Sequence, residues 1–352
     1  MGRIRLSTLW LLGALASMLL LLLALQGLLH VAHVDESIHF VASDAATYFA
    51  LYETVYEQLD LAESLGLFLI GSPILFMKLT DGNLFLIQVT NLAVMGLSLW
   101  IARECFATLR SRIVFMAGAL AFPYFLFGFL SLNKEVYAMS AAILYGSYLV
   151  RGHWSHLLAA LLLAACARYY MVLALLVLLF LVPRTGRTRY GWAMALLLAI
   201  SLIAPLSKSS VAGYSDEGVL DVSGASGLIF SRIVDAYGYA LVYPIKYIAL
   251  IPMKAYGFLL DTGRAGDAME AVVSLASLIA FVLAIRILWS RARAGATVRR
   301  LIVSGLLAPI PIMWSEIMSW RYYSFVYFFF LYAIVLHHEA RRPARAPRLA
   351  NA

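Results

Sequence analysis

Charged side chains are scarce in this chain, and those that interrupt apolar sequence are where chemistry could sit. Only 13% of residues are Asp, Glu, Lys or Arg. The stretch from Val34 to Leu65 carries Asp35, Glu36, Asp44, Glu53, Glu57, Asp60 and Glu63, with no Lys or Arg among them. Further along come Asn133-Lys134-Glu135, then Arg168 followed by Tyr169-Tyr170, and finally Glu316 with Arg321. Charges at or within a membrane are costly, so they default to functional candidates whose partners must be named. The bland alternative is a set of structural ion pairs, Lys134 with Glu135 or Asp44, and Arg321 with Glu316. Arg168 resists that reading, because nothing near it in sequence neutralises it. Asp44 stands in Ser43-Asp44-Ala45-Ala46-Thr47-Tyr48, just before a helical run. There it either caps the helix or turns its carboxylate into a membrane-facing cavity.

The elements that must position these residues are apolar helices. Of 352 residues, 63% are hydrophobic and the mean hydropathy is +0.86, the composition of a polytopic membrane protein. The chain is expected to be all-α, a single membrane domain over 1–338 with a basic cytoplasmic tail over 339–352. Apolar runs are expected to span at Thr8–His30, Leu84–Ile101, Ile113–Leu130, Val136–Val150, Ala271–Trp289, Leu301–Met313 and Ser324–Leu336, with a further outward run at Gly191–Pro205. The tail is read as starting at His337. Gly66–Leu79 is too short to cross and ends at Asp81-Gly82-Asn83, so it enters and returns or lies in the interface. Leu157–Val182 has basic turns at both ends and Arg168 in its middle, which predicts a hairpin of two short helices. Between Leu206 and Glu270 lies a long outer region whose Lys246 and Lys254 suit interfacial helices.

Orientation follows from the arginines beside the spans, which mark cytoplasmic flanks. Both termini are then inside, and 34–65 and 206–270 are outside. The first apolar run is read as a retained anchor, because no small-residue cleavage site follows it. The net charge of +8 is explained by those flanks, which argues against a nucleic-acid partner. Cys105 and Cys166 suggest neither a disulfide nor a metal site. His30-x-x-His33-x-Asp35 has a spacing open to a metal, though two His at a span's end also suit the interface. No Gly-rich phosphate loop and no Ser-His-Asp arrangement is present. The lack of broken helices in matching halves argues against a transporter.

The order of these parts resembles a known family. An N-terminal anchor precedes an acidic outer loop with Asp44-x-x-x-Tyr48. A short Pro-containing segment follows, ending at Asp81-Gly82-Asn83, and then a span closed by Ala102-Arg103. Next come Phe122-Pro123 and Ser131-Leu132-Asn133-Lys134-Glu135, the hairpin around Arg168, and a last span introduced by Trp320-Arg321-Tyr322. This is similar to the GT-C superfamily of membrane glycosyltransferases that use polyprenyl-phosphate sugars. The polymerases of O-antigen and exopolysaccharide share the general plan.

The resemblance implies a GT-C-like helical bundle of about 9–11 membrane helices, some short, re-entrant or interfacial, in the bacterial inner membrane. It implies transfer of a sugar from a polyprenyl-phosphate donor to an acceptor on the periplasmic face, with inversion. Asp44 matches the family's catalytic base, and Glu135 falls near its second acid. Lys134, Arg168 and Arg321 suit the donor phosphate, and Tyr48, Tyr169, Lys246 and Glu316 the remaining substrate contacts. Fixed cations would stabilise the negative charge left on phosphate, while a carboxylate takes the acceptor's proton. The resemblance fixes no cofactor and leaves room for a divalent metal. Partners would be the lipid-linked saccharide, membrane lipid and other envelope glycan-assembly proteins. The other readings are a polysaccharide polymerase, or a non-enzymatic lipid-linked saccharide transporter or assembly subunit.

Overall fold

The computed structural model of the protein describes residues 6–29, 48, 52, 76–126, 128–130, 134–196, 198–199, 265–290, 295–309 and 324–341, and these contain helices and turns but no strand. The helices are α1 (Leu6–Leu29), α2 (Leu84–Arg103), α3 (Leu109–Leu120), α4 (Pro123–Leu126), α5 (Glu135–Arg151), α6 (Trp154–Ala167), α7 (Tyr169–Leu181), α8 (Ala265–Trp289), α9 (Ala296–Leu307) and α10 (Val326–Ala340). Segments of α1, α2 and α8 are long and apolar enough to cross a membrane. Their outer faces are apolar too, with Leu12, Leu20, Leu86, Leu97, Val272 and Ile279 exposed.

The bundle is built around α5. Every side chain from Lys134 to Leu149 is buried. The sequence Glu135-Val-Tyr-Ala-Met-Ser-Ala-Ala-Ile-Leu-Tyr-Gly-Ser-Tyr-Leu-Val-Arg151 has no polar face between its charged ends, and neighbouring helices bury it on every side. Small residues let its neighbours close in. A Cβ at Gly146 would lie 2.7 Å from the Tyr332 ring of α10. Helices α2, α6 and α10 all pack against α5. On α6 the buried residues Leu157, Ala160, Ala164 and Ala167 recur every three or four positions, while Leu158 and Leu162 point away and are exposed. Aromatic rings fill the other interfaces. Phe115 lies 4.3 Å from Tyr332, and Phe122 stacks on Tyr327 at 4.4 Å. The Tyr332 hydroxyl, fully buried, lies 2.7 Å from Ser147 Oγ.

Helix α6 does not continue into α7 as one rod. Arg168 is a single extended residue between them, with φ −164° and ψ 139°. Beyond α7, the Arg184 guanidinium donates to the carbonyl of Arg151 at 3.1 Å. The start of α6 and the end of α7 therefore meet, and the hairpin is present. Gly152 makes the preceding turn in the left-handed region (φ +78°), and a Cβ there would collide with the Arg184 guanidinium.

Several boundaries differ from the sequence expectation: α8 begins at Ala265 and not at Ala271, and α9 covers Ala296–Leu307 and not Leu301–Met313. The run Ile113–Leu130 is not one straight helix: α3 stops at Leu120 and the chain turns by 82°. Pro123, which has no N–H to give a continuing helix, starts the next short helix instead. Helix α10 runs on through His337 and His338 to Ala340. There the Glu339 carboxylate accepts from the backbone N–H of Thr108 at 2.7 Å and of Ala107 at 3.2 Å. Negative charge is favoured at this α3 N-terminus, which ties the end of the last helix to the bundle.

The two ends of α5 differ in charge. At its C-terminal end gather Arg103, Arg151, Arg184 and Arg300, bonded to one another's loops or to nearby chain. At its N-terminal end stand Lys134, Glu135 and Arg168.

Reporter fusions after His153 and after Arg187 are expected to give the same side of the membrane, and opposite reports would undo the hairpin. In single-cysteine labelling, Cys105 is expected to stay silent near pH 7. Burial pushes its thiol up to about 11, outweighing its hydrogen bonds with Ser147 and Tyr332, and the thiol form is a poor nucleophile. Rapid maleimide labelling of Cys105 in the folded protein would contradict this.

Candidate functional site

The site begins where α5 begins. Glu135 occupies the first position of that helix and is 4% exposed. Its Oε1 accepts from Arg168 Nη2 at 3.0 Å. The hairpin delivers Arg168, because the extended residue at its tip falls level with the start of α5. The expected pairing of Lys134 with Glu135 gives way to this cross-helix pair, since Glu135 is drawn to a residue 33 positions later in the chain.

Lys134 precedes α5, and its Nζ lies 4.8 Å from the centre of the Tyr48 ring, within cation–π range. Tyr48 belongs to the acidic loop, so at least this residue of the loop is held against the bundle. It packs with Phe76 on a small cluster of Tyr52, Met77 and Ile87. The turn that leads into α2 also lies here. Asp81 and Gly82 have φ of +51° and +70°, and the Asn83 side chain accepts from the Leu86 N–H at 3.2 Å. The Asp81-Gly82-Asn83 sequence thus makes a tight turn and a helix cap.

Beneath the charges runs a layer of neutral polar groups. The Tyr137 hydroxyl donates to Asn91 Oδ1 at 2.6 Å, and the Gln88 amide donates to the Leu130 carbonyl at 2.7 Å. The Phe76 ring stacks on Tyr137 with centroids 5.2 Å apart. The sequence reading passed over Gln88, Asn91 and Tyr137. Gln88 and Asn91 stand one turn apart inside an apolar helix, and that spacing was the signal available.

The structure therefore brings Tyr48, Lys134, Glu135 and Arg168 to one end of the bundle. The backbone of Tyr169 starts α7 beside Arg168. Asp44, Lys246, Glu316 and Arg321 lie outside the described residues, as does His30-x-x-His33-x-Asp35. Among the described residues no three His, Cys, Asp or Glu side chains gather, so these residues supply no ligand set for a divalent metal.

Chemically, the arrangement is a guanidinium locked by a carboxylate next to an ammonium resting on a ring. Such a pair of cations can take an anion with several oxygens, phosphate above all. Comparison with protein-family models, with curated proteins and with solved structures found no match.

Breaking the Glu135–Arg168 pair leaves a poorly solvated charge, so Glu135→Leu alone is expected to cost on the order of 3 kcal/mol of stability. The double variant Glu135→Leu/Arg168→Leu should recover most of it. Thermal unfolding of the purified variants checks this, and simply additive losses would show that the two residues do not act as a pair.

Proposed function

We propose that this protein is a membrane-embedded glycosyltransferase that takes a sugar from a polyprenyl-phosphate donor, with its site at the end of the bundle holding Lys134, Glu135 and Arg168. The observation that carries the reading is the joining of those residues with Tyr48 of the acidic loop.

Depth supports it. Helices α6 and α7 have 14 and 13 residues, hence rises of about 21 and 20 Å. A hydrocarbon core is about 30 Å thick. A hairpin rooted at the basic, cytoplasmic end would turn round about 10 Å short of the far interface. Its arginine would then sit at the floor of a recess open to the outer side, where a lipid-borne phosphate can reach it without leaving the membrane. The neutral layer of Gln88, Asn91 and Tyr137 lies on the same floor and suits sugar hydroxyls.

In this scheme Arg168 and Lys134 bind the donor phosphate and stabilise the charge that grows on it as the glycosidic bond breaks. Glu135 keeps Arg168 in place. The base is Asp44, four residues before Tyr48 in the chain, and four residues reach at most about 14 Å. Arg321 would add a further phosphate contact. Transfer to a growing chain would make the same site a polysaccharide polymerase. The transporter reading fares worse, because the middle of α5 between the two ends is tightly packed, Met139, Ile143, Tyr145 and the facing Phe329 all being fully buried. The bacterial inner membrane, with the arginine-rich end cytoplasmic, belongs to this proposal.

The test is transfer from a labelled polyprenyl-phosphate sugar by the full chain in proteoliposomes. Asp44→Asn is expected to lower turnover by ~10²–10⁴-fold while donor binding persists. Lys134→Ala and Arg168→Ala should weaken donor binding, and Arg168→Lys should restore it only in part. Glu53→Gln and Glu57→Gln should be mild. Normal turnover in Asp44→Asn, or donor affinity unchanged in both cation variants, would refute the assignment.

A further inference from the structure

The opposite end of the bundle holds a second cluster that the proposed reaction leaves unused. Three arginines from three different helix ends are stitched together there through backbone carbonyls. Arg151, the last residue of α5, donates to the carbonyl of Glu104 at 2.7 Å. The Arg184 guanidinium lies against Gly152 and donates to the carbonyl of Arg151 at 3.1 Å. Arg300 of α9 donates to the carbonyls of Arg184 and of Gly186, the second at 2.9 Å. These partners are neutral, and among the described residues no carboxylate is paired with Arg151, Arg184 or Arg300. The nearby acids are engaged elsewhere, Glu104 with Arg103 at 3.4 Å and Glu339 with the start of α3. Three guanidinium groups thus attach to one set of loops with no paired carboxylate among the described residues, leaving a place for a counter-charge.

A second, independent feature fixes the chemistry of that counter-charge. Trp154 at the start of α6, Trp192 in the helical segment 190–196 and Trp289 at the end of α8 all stand largely exposed, and Tyr190 joins them. Each lies within a few residues of an arginine at this end of the chain. Exposed Trp and Tyr at helix ends mark the headgroup level of a bilayer. The arginines are therefore at the depth of lipid phosphates.

We propose that Arg151, Arg184 and Arg300 form a binding site for the phosphate headgroup of an anionic phospholipid in the leaflet facing the basic end. Guanidinium groups suit phosphate through paired N–H donors, and basic recesses between helix ends take anionic headgroups. Bound lipid would join the loops after α2, α5, α7 and before α9, acting on the stability of the whole bundle. The site rests only on the membrane reading, not on glycosyl transfer. It is also about 25 Å from Glu135, the length of the 17-residue α5.

The experiment compares thermal unfolding of the full chain in nanodiscs of phosphatidylcholine and of phosphatidylcholine with phosphatidylglycerol, alongside native mass spectrometry of retained lipid. The wild type is expected to melt higher with phosphatidylglycerol and to retain that lipid. In Arg184→Gln/Arg300→Gln the gain over phosphatidylcholine should disappear and retention should fall at least tenfold, whatever the variant's baseline. If that variant does not fold, Arg151→Gln alone should reduce retention severalfold. Arg110→Gln and Arg341→Gln, whose side chains are exposed and outside this cluster, should leave the gain intact. Equal melting of the wild type in both lipids would overturn the proposal, as would a full phosphatidylglycerol response in the double variant or in Arg151→Gln. An equal gain from inorganic phosphate alone would also overturn it, by showing a site for a soluble anion.

Discussion

The architecture depends on one charged pair held where charge is expensive. Glu135 and Arg168 meet at 3.0 Å with side chains only 5% and 16% exposed. Desolvating two such ions costs several kcal/mol each, and the pair survives only with good geometry and further support. Part of the support is local: Glu135 is in the first turn of α5, where unpaired backbone N–H groups favour a negative charge. The rest is topological. Arg168 can reach that point because α6 runs the length of α5 and the chain reverses at its extended backbone. The hairpin is thus what makes the pair possible.

The central helix sets what the neighbours can be. Because α5 is enclosed on all sides, its residues must fill space against several partners at once, and alternating small and aromatic residues does this. Ala and Gly positions receive the alanine-lined face of α6 and the rings of α10, while Tyr137 and Tyr145 fill the wider gaps. Polar atoms in this interior find partners across helices, as Ser98 with Ser140 at 3.4 Å and Ser147 with Tyr332 show. A bilayer interior would offer no water to do so. These bonds also set the register of α5 against α2 and α10.

A division of labour follows from the polarity of α5. One end gathers arginines bonded to backbone carbonyls, which suits a headgroup layer. The other gathers a cation on a ring, an ion pair and a neutral polar floor. The packed interior between them separates the two ends.

Much of this was legible in the residues. The apolar runs located α1, α2, α8 and the shorter helices. Arg103, Arg151 and Arg184 announced which turns share an end, and Arg168 between two basic turns announced a reversal. These are local properties, since burial of an apolar run and the cost of a stranded charge do not depend on which neighbour is chosen. The tertiary structure decided the partners. Sequence distance made Lys134 the natural mate of Glu135, whereas folding put Arg168 there from 33 residues away. It set Lys134 on the ring of Tyr48, bent the chain at Pro123 by 82°, and carried α10 on to place Glu339 over the start of α3. Such pairings depend on long-range packing geometry, and the spacing of residues along one chain does not encode it in any form that can be read off directly.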